Sequence, residues 1–345
     1  MKYSILFYCF LGFSLSFCNK EKKVLVQGKA TFESDLLIAF GSCNNQREEN
    51  LMWKSILAND PDLFIWGGDI VYSDTEDMSR MRSAYQILKT DSAYADFNRQ
   101  IEILGTWDDH DYGLNDGGRE WIHKDSVQQI LLDFLDIDEN DPLRTQQGVY
   151  QSKKMQIDDS IIKIIILDTR YFRSELTKDP SGKKRYIPAT NKGGTILGEK
   201  QWKWLDAQLA DPEVSFNIIV SSIQFLSWEH GFETWGNMPD EVDRMIKILQ
   251  KNKPKGILFL SGDRHIAEIS SRDIIGLDYP LVDFTSSGMT HSYSSFSGEN
   301  NAYRVSEVVS DKNFGLIRFN LTQNKLKLEI RSEDDELLQS YEQQY

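Results

Sequence analysis

Cysteine is nearly absent from this chain. Of 345 residues three are cysteine, and two of them, Cys9 and Cys18, fall at the amino terminus. No disulfide framework is therefore available to the rest of the chain, which must rely on a packed core. Proline is scarce as well: eight residues, scattered at positions that read as loops, with no proline-rich linker, internal repeat or low-complexity tract. One compact domain over residues 19–345 is the simplest organisation. The uncharged apolar stretch from Ile5 to Phe17 is too short for a comfortable membrane span. Positive charge is in deficit, 39 basic against 53 acidic residues, which disfavours wholesale binding to nucleic acid phosphates. The remaining composition, 40% hydrophobic and 27% charged, is that of an ordinary globular protein.

The first residues stand apart from this background. Lys2 supplies a positive start, Ile5 to Phe17 an apolar centre, and Cys18 is followed at once by Asn19-Lys20-Glu21-Lys22-Lys23. Residues 1–18 read as an export signal, with a short anchor helix as the other reading. Leu15-Ser16-Phe17-Cys18 resembles the lipobox of bacterial lipoproteins, although Phe17 replaces the small residue expected there. That resemblance implies an exported protein, either anchored through lipid on Cys18 to a bacterial membrane or periplasmic, with a secreted soluble form as the alternative. Cys43 is then the sole unmodified cysteine of the mature chain. It is either buried as a small hydrophobe or held by a metal, and its place at the end of Ala39-Phe40-Gly41-Ser42 favours the metal.

Apolar runs that read as strands recur at Leu36 to Phe40, Leu63 to Trp66, Ile101 to Leu104, Ile161 to Leu167, Phe216 to Val220, Gly256 to Leu260, Leu281 to Thr285, Leu316 to Asn320 and Lys325 to Ile330. Between them, Glu49 to Asn59, Ser79 to Leu88, Ser126 to Leu135, Glu199 to Ala210 and Asp240 to Asn252 carry apolar residues at helical spacing. The alternation predicts an α/β layered protein with antiparallel or mixed strands near the carboxyl terminus.

Three clusters of metal-seeking side chains each follow one of these runs: Gly68-Asp69-Ile70-Val71-Tyr72, Asp108-Asp109-His110-Asp111 and Gly262-Asp263-Arg264-His265. They would sit at the carboxyl ends of strands, the edge where α/β sheets bind ligands. Three carboxylates around one histidine repel one another unless a cation compensates. Asp263 and His265, two positions apart, offer one oxygen and one nitrogen donor on the same side. An isolated Gly-Asp such as Gly68-Asp69 is more often a loop cap, and only the company of the other clusters makes it a ligand. The asymmetry of the donors points to two different metals.

Phe40-Gly41-Ser42-Cys43, Gly68-Asp69-Ile70-Val71-Tyr72-Ser73-Asp74, Trp107-Asp108-Asp109-His110-Asp111, Leu167-Asp168-Thr169-Arg170 and Ser261-Gly262-Asp263-Arg264-His265, in that order, resemble the motifs of the PhoD-like alkaline phosphatases. These belong to the calcineurin-like metallophosphoesterases. The resemblance spans residues 38 to 268, and Asn313-Phe314-Gly315-Leu316 extends it. It implies a four-layer α-β-β-α sandwich with Cys43, Asp69, Tyr72 and His265 as ligands of Fe(III), and Asp69, Asp109 and Asp263 facing Ca2+. His110 would contact the phosphate or leaving group. The chain departs from its relatives in two places. The separate amino-terminal β-domain of some of them has no counterpart in the short stretch before Phe40. After the strand Phe216 to Val220, where the wider superfamily has a histidine ligand, stand Ser221-Ser222-Ile223-Gln224, which leaves Ser222 and Gln224 as open candidates.

The implied function is an exported phosphoester hydrolase of the alkaline phosphatase type. In it a water bound to the metals loses its proton near neutral pH and attacks phosphorus in line. Arg170 would share the growing charge, or else be structural and paired to Asp168, while His110 protonates or steadies the leaving oxygen. Diester hydrolysis, as by phosphodiesterases or phospholipase D-like enzymes, is the alternative. A non-catalytic, metal-binding surface lipoprotein is the remote one. The expected partner is a small phosphoester, with no nucleic acid and no membrane contact beyond the lipid anchor. Lys183, Lys184 and Arg185 read as a solvated loop, with lining of the substrate entrance as the second reading; His230 reads as packing, and His291 is undecided.

Overall fold

Runs such as Leu36–Gly41 and Ile257–Ser261 are apolar on both faces, and a strand of that kind is stable only when covered on both sides. In the computed structural model, which describes residues 32–190 and 193–345, they become the inner strands of two packed sheets. The segment read as an export signal, with Cys9 and Cys18, lies outside the described residues. Glu33–Tyr345 forms one compact unit.

In chain order the strands are β1 (Leu36–Gly41), β2 (Leu63–Gly67), β3 (Glu102–Thr106), β4 (Gln151–Ile157), β5 (Ser160–Ile166), the two-residue β6 (Thr177–Lys178) and β7 (Tyr186–Ile187), β8 (Phe216–Val220), β9 (Ile257–Ser261), β10 (Ala267–Arg272), β11 (Leu281–Ser286), β12 (Phe314–Asn320), β13 (Lys325–Arg331) and β14 (Leu337–Gln344). The helices are α1 (Met52–Leu57), α2 (Met78–Thr90), α3 (Ser92–Gln100), the single turn α4 (Asp109–Tyr112), α5 (Lys124–Phe134), α6 (Gly198–Leu209) and α7 (Pro239–Asn252). One sheet has the order β14-β13-β12-β1-β2-β3, the other β10-β11-β9-β8-β5-β4. In the first, β1, β2 and β3 run parallel at one end and β12, β13 and β14 are antiparallel at the other; in the second, the parallel strands β11, β9, β8 and β5 lie between antiparallel β10 and β4.

Three apolar clusters separate four layers. Ile38, Phe40 and Ile65 of the first sheet meet Ile164, Ile218 and Leu260 of the second. Trp53, Phe64, Trp66 and Phe97 join the outer face of the first sheet to its helices. Trp202, Leu205, Met245 and Phe259 do the same for the second. This is the α-β-β-α sandwich expected from the sequence. Trp202 is fully buried and donates its indole N–H to Glu241 Oε2 at 2.8 Å, so its role is packing.

The elements absent from the sequence reading are the amphipathic ones. β4 (Gln-Ser-Lys-Lys-Met-Gln-Ile) is an outer strand that alternates half-buried and exposed residues. β14 carries no continuous apolar run either. α3 begins at the residue after the cap of α2, Asp91, whose carboxylate accepts from Ala93 and Tyr94 N–H and starts the second helix.

What the arrangement does for the site is simple. β1, β2 and β3 of one sheet, and β5, β8, β9 and β11 of the other, all end on one edge of the sandwich. The loops that leave them hold every cluster singled out above.

Candidate metal centre

The backbone leaves the sheets abruptly at this edge. Cys43 (φ 61°), Asp69 (φ 51°), Asp263 (φ 68°) and His265 (φ 54°) all occupy the left-handed region, which non-glycine residues seldom enter. Such conformations are held against an intrinsic cost of about 1 kcal/mol or more each, and they cluster where a side chain must be aimed. Gly68, at φ 98°, precedes Asp69; a Cβ there would stand 2.6 Å from Asp108 Cβ, so the β2 and β3 loops approach as closely as glycine allows.

The side chains converge accordingly. Cys43, Asp69 and His265 form one group whose donor atoms lie within 4.8 Å of one another; Asp69, Asp109 and His110 form a second, and Asp108, Asp109 and Asp263 a third. Tyr72 completes the first group: its phenol donates to Asp69 Oδ2 at 3.1 Å and lies 3.0 Å from His265 Nε2. The Cys43 thiol donates to the same Asp69 oxygen at 3.6 Å. Asp69 is common to two groups, the placement a bridging carboxylate needs. All six metal candidates named from the sequence, Cys43, Asp69, Tyr72, Asp109, Asp263 and His265, come together, and Asp108 joins them.

Burial and crowding act strongly on these groups. Burial, and then the carboxylates of Asp69 and Asp263, push the Cys43 thiol upward. Burial followed by Asp109 pushes Asp69 up, and burial followed by Asp108 and Asp109 pushes Asp263 up. Tyr72 is raised by burial and by Asp69. The His265 imidazole is lowered to about 3 by burial and the neighbouring His291. Negative charge is thus disfavoured at Cys43, Asp69, Tyr72 and Asp263 until positive charge arrives, whereas at Asp109 burial is outweighed by Arg170, His110 and the hydrogen bonds of Asp116 and Asn115, which hold its carboxyl down at about 2. Two carboxylate oxygens, Asp108 Oδ2 and Asp109 Oδ1, are buried without any partner. The other oxygen of Asp109 is saturated by Asn115 Nδ2 and Asp116 N–H, both at 2.7 Å. A thiol, a phenol, an imidazole and converging carboxylates with idle oxygens are a donor set that fits two cations.

The two residues expected to act on substrate sit differently. His110 is half-buried beside Asp69 and Asp109, its Nδ1 2.7 Å from Asp74 Oδ2 and its ring 4.2 Å from that of Tyr72. Burial opposes its protonation, but Asp74, Asp69 and Asp109 carry its imidazole up to about 10. Arg170 is fully buried. Its Nε donates to Asp108 Oδ1 at 2.7 Å and its NH1 to Glu233 Oε2 at 2.6 Å, while Glu233 also pairs with Arg173 at 2.8 Å. Asp168 accepts only the backbone N–H of Arg170 and is otherwise held by Trp107, Val149 and Tyr171. The guanidinium therefore pairs with Asp108 and Glu233 and not with Asp168.

Ser222 donates to Asp108 Oδ1 at 2.6 Å, beneath the centre, whereas Gln224 binds Glu268 and Thr285 away from it. An open cleft of about 430 Å³ rises above Asp109, His110, Asp263 and His265. Arg185, Phe232, Glu233 and Arg264 belong to its walls. Of the basic loop, Arg185 reaches this cleft and pairs with Asp116, while Lys184 donates to the Glu229 carbonyl. His230 accepts the Phe232 N–H at 3.1 Å and packs at 6.0 Å from that ring. His291 stands against His265 at 4.4 Å. Glu233 and Phe232 carried no sequence signal, since their partners are remote in the chain; Arg264 had one, its place between two candidate ligands.

Comparison with known proteins agrees with this geometry. The chain is 23% identical over 209 residues to alkaline phosphatase D of Bacillus subtilis (strain 168), a match over 53% of this chain and 36% of that protein. The chain thus spans little more than a third of that curated relative. Its fold resembles the solved structure of PhoD (TM-score 0.69, 16% identity, 89% of this chain and 68% of that one). It also resembles a dimetal phosphatase from Danio rerio (TM-score 0.55, 12% identity, 91% and 100% of the two chains). The model of the PhoD-like phosphatase family matches residues 38–329, nearly the whole of the folded unit, and the chain belongs to that family.

Proposed function

We propose that this chain is an exported, metal-dependent hydrolase of phosphoric monoesters, with Fe(III) held by Cys43, Asp69, Tyr72 and His265 and Ca2+ by Asp69, Asp109 and Asp263. The observation that carries this reading is the sharing of Asp69 between two donor groups, one with a thiol and a phenol, the other built of carboxylates and His110. When bound, the metals supply positive charge that draws in an anionic ester and lowers the pKa of water.

The protein's own residues do the rest. Asp109, Asp263 and His265 line the cleft and would hold the metals there, so that the positive charge which places an anionic ester sits at its base. His110, kept protonated by Asp74, stands at the cleft and donates to the leaving oxygen. Arg170 acts as a positioning residue: it neutralises Asp108 and Glu233, which keeps those carboxylates fixed beside the centre. Export rests on residues 1–18, with Cys18 as the site of a lipid anchor. No helix among the described residues is long and apolar enough to cross a membrane.

A second reading is diester hydrolysis, favoured by the openness and size of the cleft, which leaves room for another substituent. Turnover of nitrophenyl phosphate against bis-nitrophenyl phosphate separates the two. A faster monoester supports the first reading and a faster diester replaces it with the second.

A further inference from the structure

The loops that follow β1 and β2 leave the first sheet side by side, and their pairing outlives the strands. Backbone pairing of the two runs as far as Gly41 opposite Trp66. Beyond it Cys43, Gly68 and Asp69 turn to positive φ, and the regular ladder ends. One backbone bond remains, from Asn44 N–H to the Asp69 carbonyl at 2.8 Å.

Side-chain amides then replace the ladder. Asn44 Nδ2 donates to the Ile70 carbonyl at 3.0 Å. Gln46 Nε2 donates to the Tyr72 carbonyl at 2.9 Å, and Gln46 Oε1 accepts the Tyr72 N–H at 2.8 Å. The partners are 26 positions apart in each case, the same offset that separates Cys43 from Asp69. Both amides are buried, Asn44 at 1% exposure and Gln46 at 7%. An amide carries a donor and an acceptor on one rigid plane, and Gln46 commits both to the backbone of a single residue.

Tyr72 itself lies outside any helix or strand. Its phenol oxygen must nevertheless reach both Asp69 and His265, at the far end of a long side chain. A small rotation of the Tyr72 backbone would carry that oxygen well beyond the roughly 0.2 Å tolerance of a metal–ligand bond. The ring contacts of His110 and His291 limit sideways motion but bind no backbone group of Tyr72.

We propose that Gln46 is the positioning residue for Tyr72: by clamping both backbone groups of that residue it holds the phenol oxygen at the metal centre. This rests on Tyr72 being a metal ligand, as argued above. Without the clamp the first donor group keeps Cys43, Asp69 and His265 but loses a fixed fourth member.

Two measurements on Gln46→Ala and Gln46→Glu test it. The first is fluorine NMR of the metal-free, fluorotyrosine-labelled protein, with the Tyr72 resonance identified by Tyr72→Phe. In Gln46→Ala that resonance should shift and broaden while those of the buried Tyr94 and Tyr112 stay in place. Gln46→Glu, which keeps the acceptor for the Tyr72 N–H, should fall between the two. The second is visible absorption of the Fe(III)-loaded protein, where Gln46→Ala should weaken the phenolate charge-transfer band several-fold. An unchanged resonance and an unchanged band in folded Gln46→Ala would overturn the proposal. If that variant does not fold, an unchanged resonance in Gln46→Glu overturns it equally. A wild-type protein that takes up Fe(III) but shows no band removes Tyr72 as a ligand, and that outcome overturns the proposal while leaving the hydrolase reading intact.

Discussion

The phenol oxygen of Tyr72 lies 3.0 Å from Nε2 of His265, 193 positions further along the chain. One residue follows β2 of the first sheet and the other β9 of the second, so the centre straddles the seam between the two sheets. Neither sheet alone carries a complete donor set, which ties metal binding to the packing of the whole sandwich.

Asp69→Asn removes the carboxylate that links the group of Cys43 and His265 to that of Asp109 and His110. The variant should retain neither metal and hydrolyse phosphoesters at background rate, checked by metal analysis after gel filtration together with nitrophenyl phosphate turnover. Retention of both metals would exclude a bridging role.

His110→Ala should leave metal content unchanged and lower the rate by about 10²- to 10⁴-fold, the usual contribution of a positioned acid or base. Asp74→Asn, which removes the partner of His110 Nδ1, should lower it less. Metal loss in His110→Ala would make the residue a ligand instead of a proton donor.

Arg170→Met leaves Asp108 and Glu233 buried without their shared cation. Breaking a buried pair from one side costs about 3–5 kcal/mol, so urea unfolding should show a loss of that order. A direct substrate role predicts the reverse pattern, near-normal stability with a raised KM.

His230 provides a pH test away from the centre. Burial, and then the nearby Arg264, lower its imidazole from 6.5 to about 3. Above about pH 6.5 the imidazole is neutral in both states and its burial carries no penalty. Below that the unfolded chain takes up a proton that the folded one refuses, so stability falls as the pH drops towards about 3. Between about pH 7.5 and about pH 5 the wild type should lose on the order of 1–2 kcal/mol more in urea unfolding than His230→Gln does, the contribution of His265, lowered likewise, being common to both.

Much of this was legible in the sequence because inner strands and metal ligands are both local signals. The runs at Leu36, Leu63, Phe216 and Ile257 announce buried strands, and each ligand cluster lies within a few residues of such a run. β4 and β14 escaped because edge strands keep one side partly wet and mix Lys, Gln, Ser and Glu into the pattern, and β10 because it buries the polar Glu268 and Ser270 among its apolar residues. The buried chain Asp108–Arg170–Glu233–Arg173 escaped for another reason. Charges 60 or so positions apart give no pattern until the fold brings them together, and the sequence left Arg170 between a substrate role and a pairing with its near neighbour Asp168. Gln46 was invisible for the same reason, as a polar residue in a loop whose partner is a backbone.

The most direct measurement is nitrophenyl phosphate hydrolysis by wild-type protein stripped of metal with a chelator and then titrated with Fe(III) and Ca2+. The expected result is no turnover in the stripped protein and recovery as the metals return, with Asp69→Asn inactive throughout. Turnover that survives stripping, or a protein that stays inactive at every metal concentration, would contradict a metal-dependent phosphoesterase.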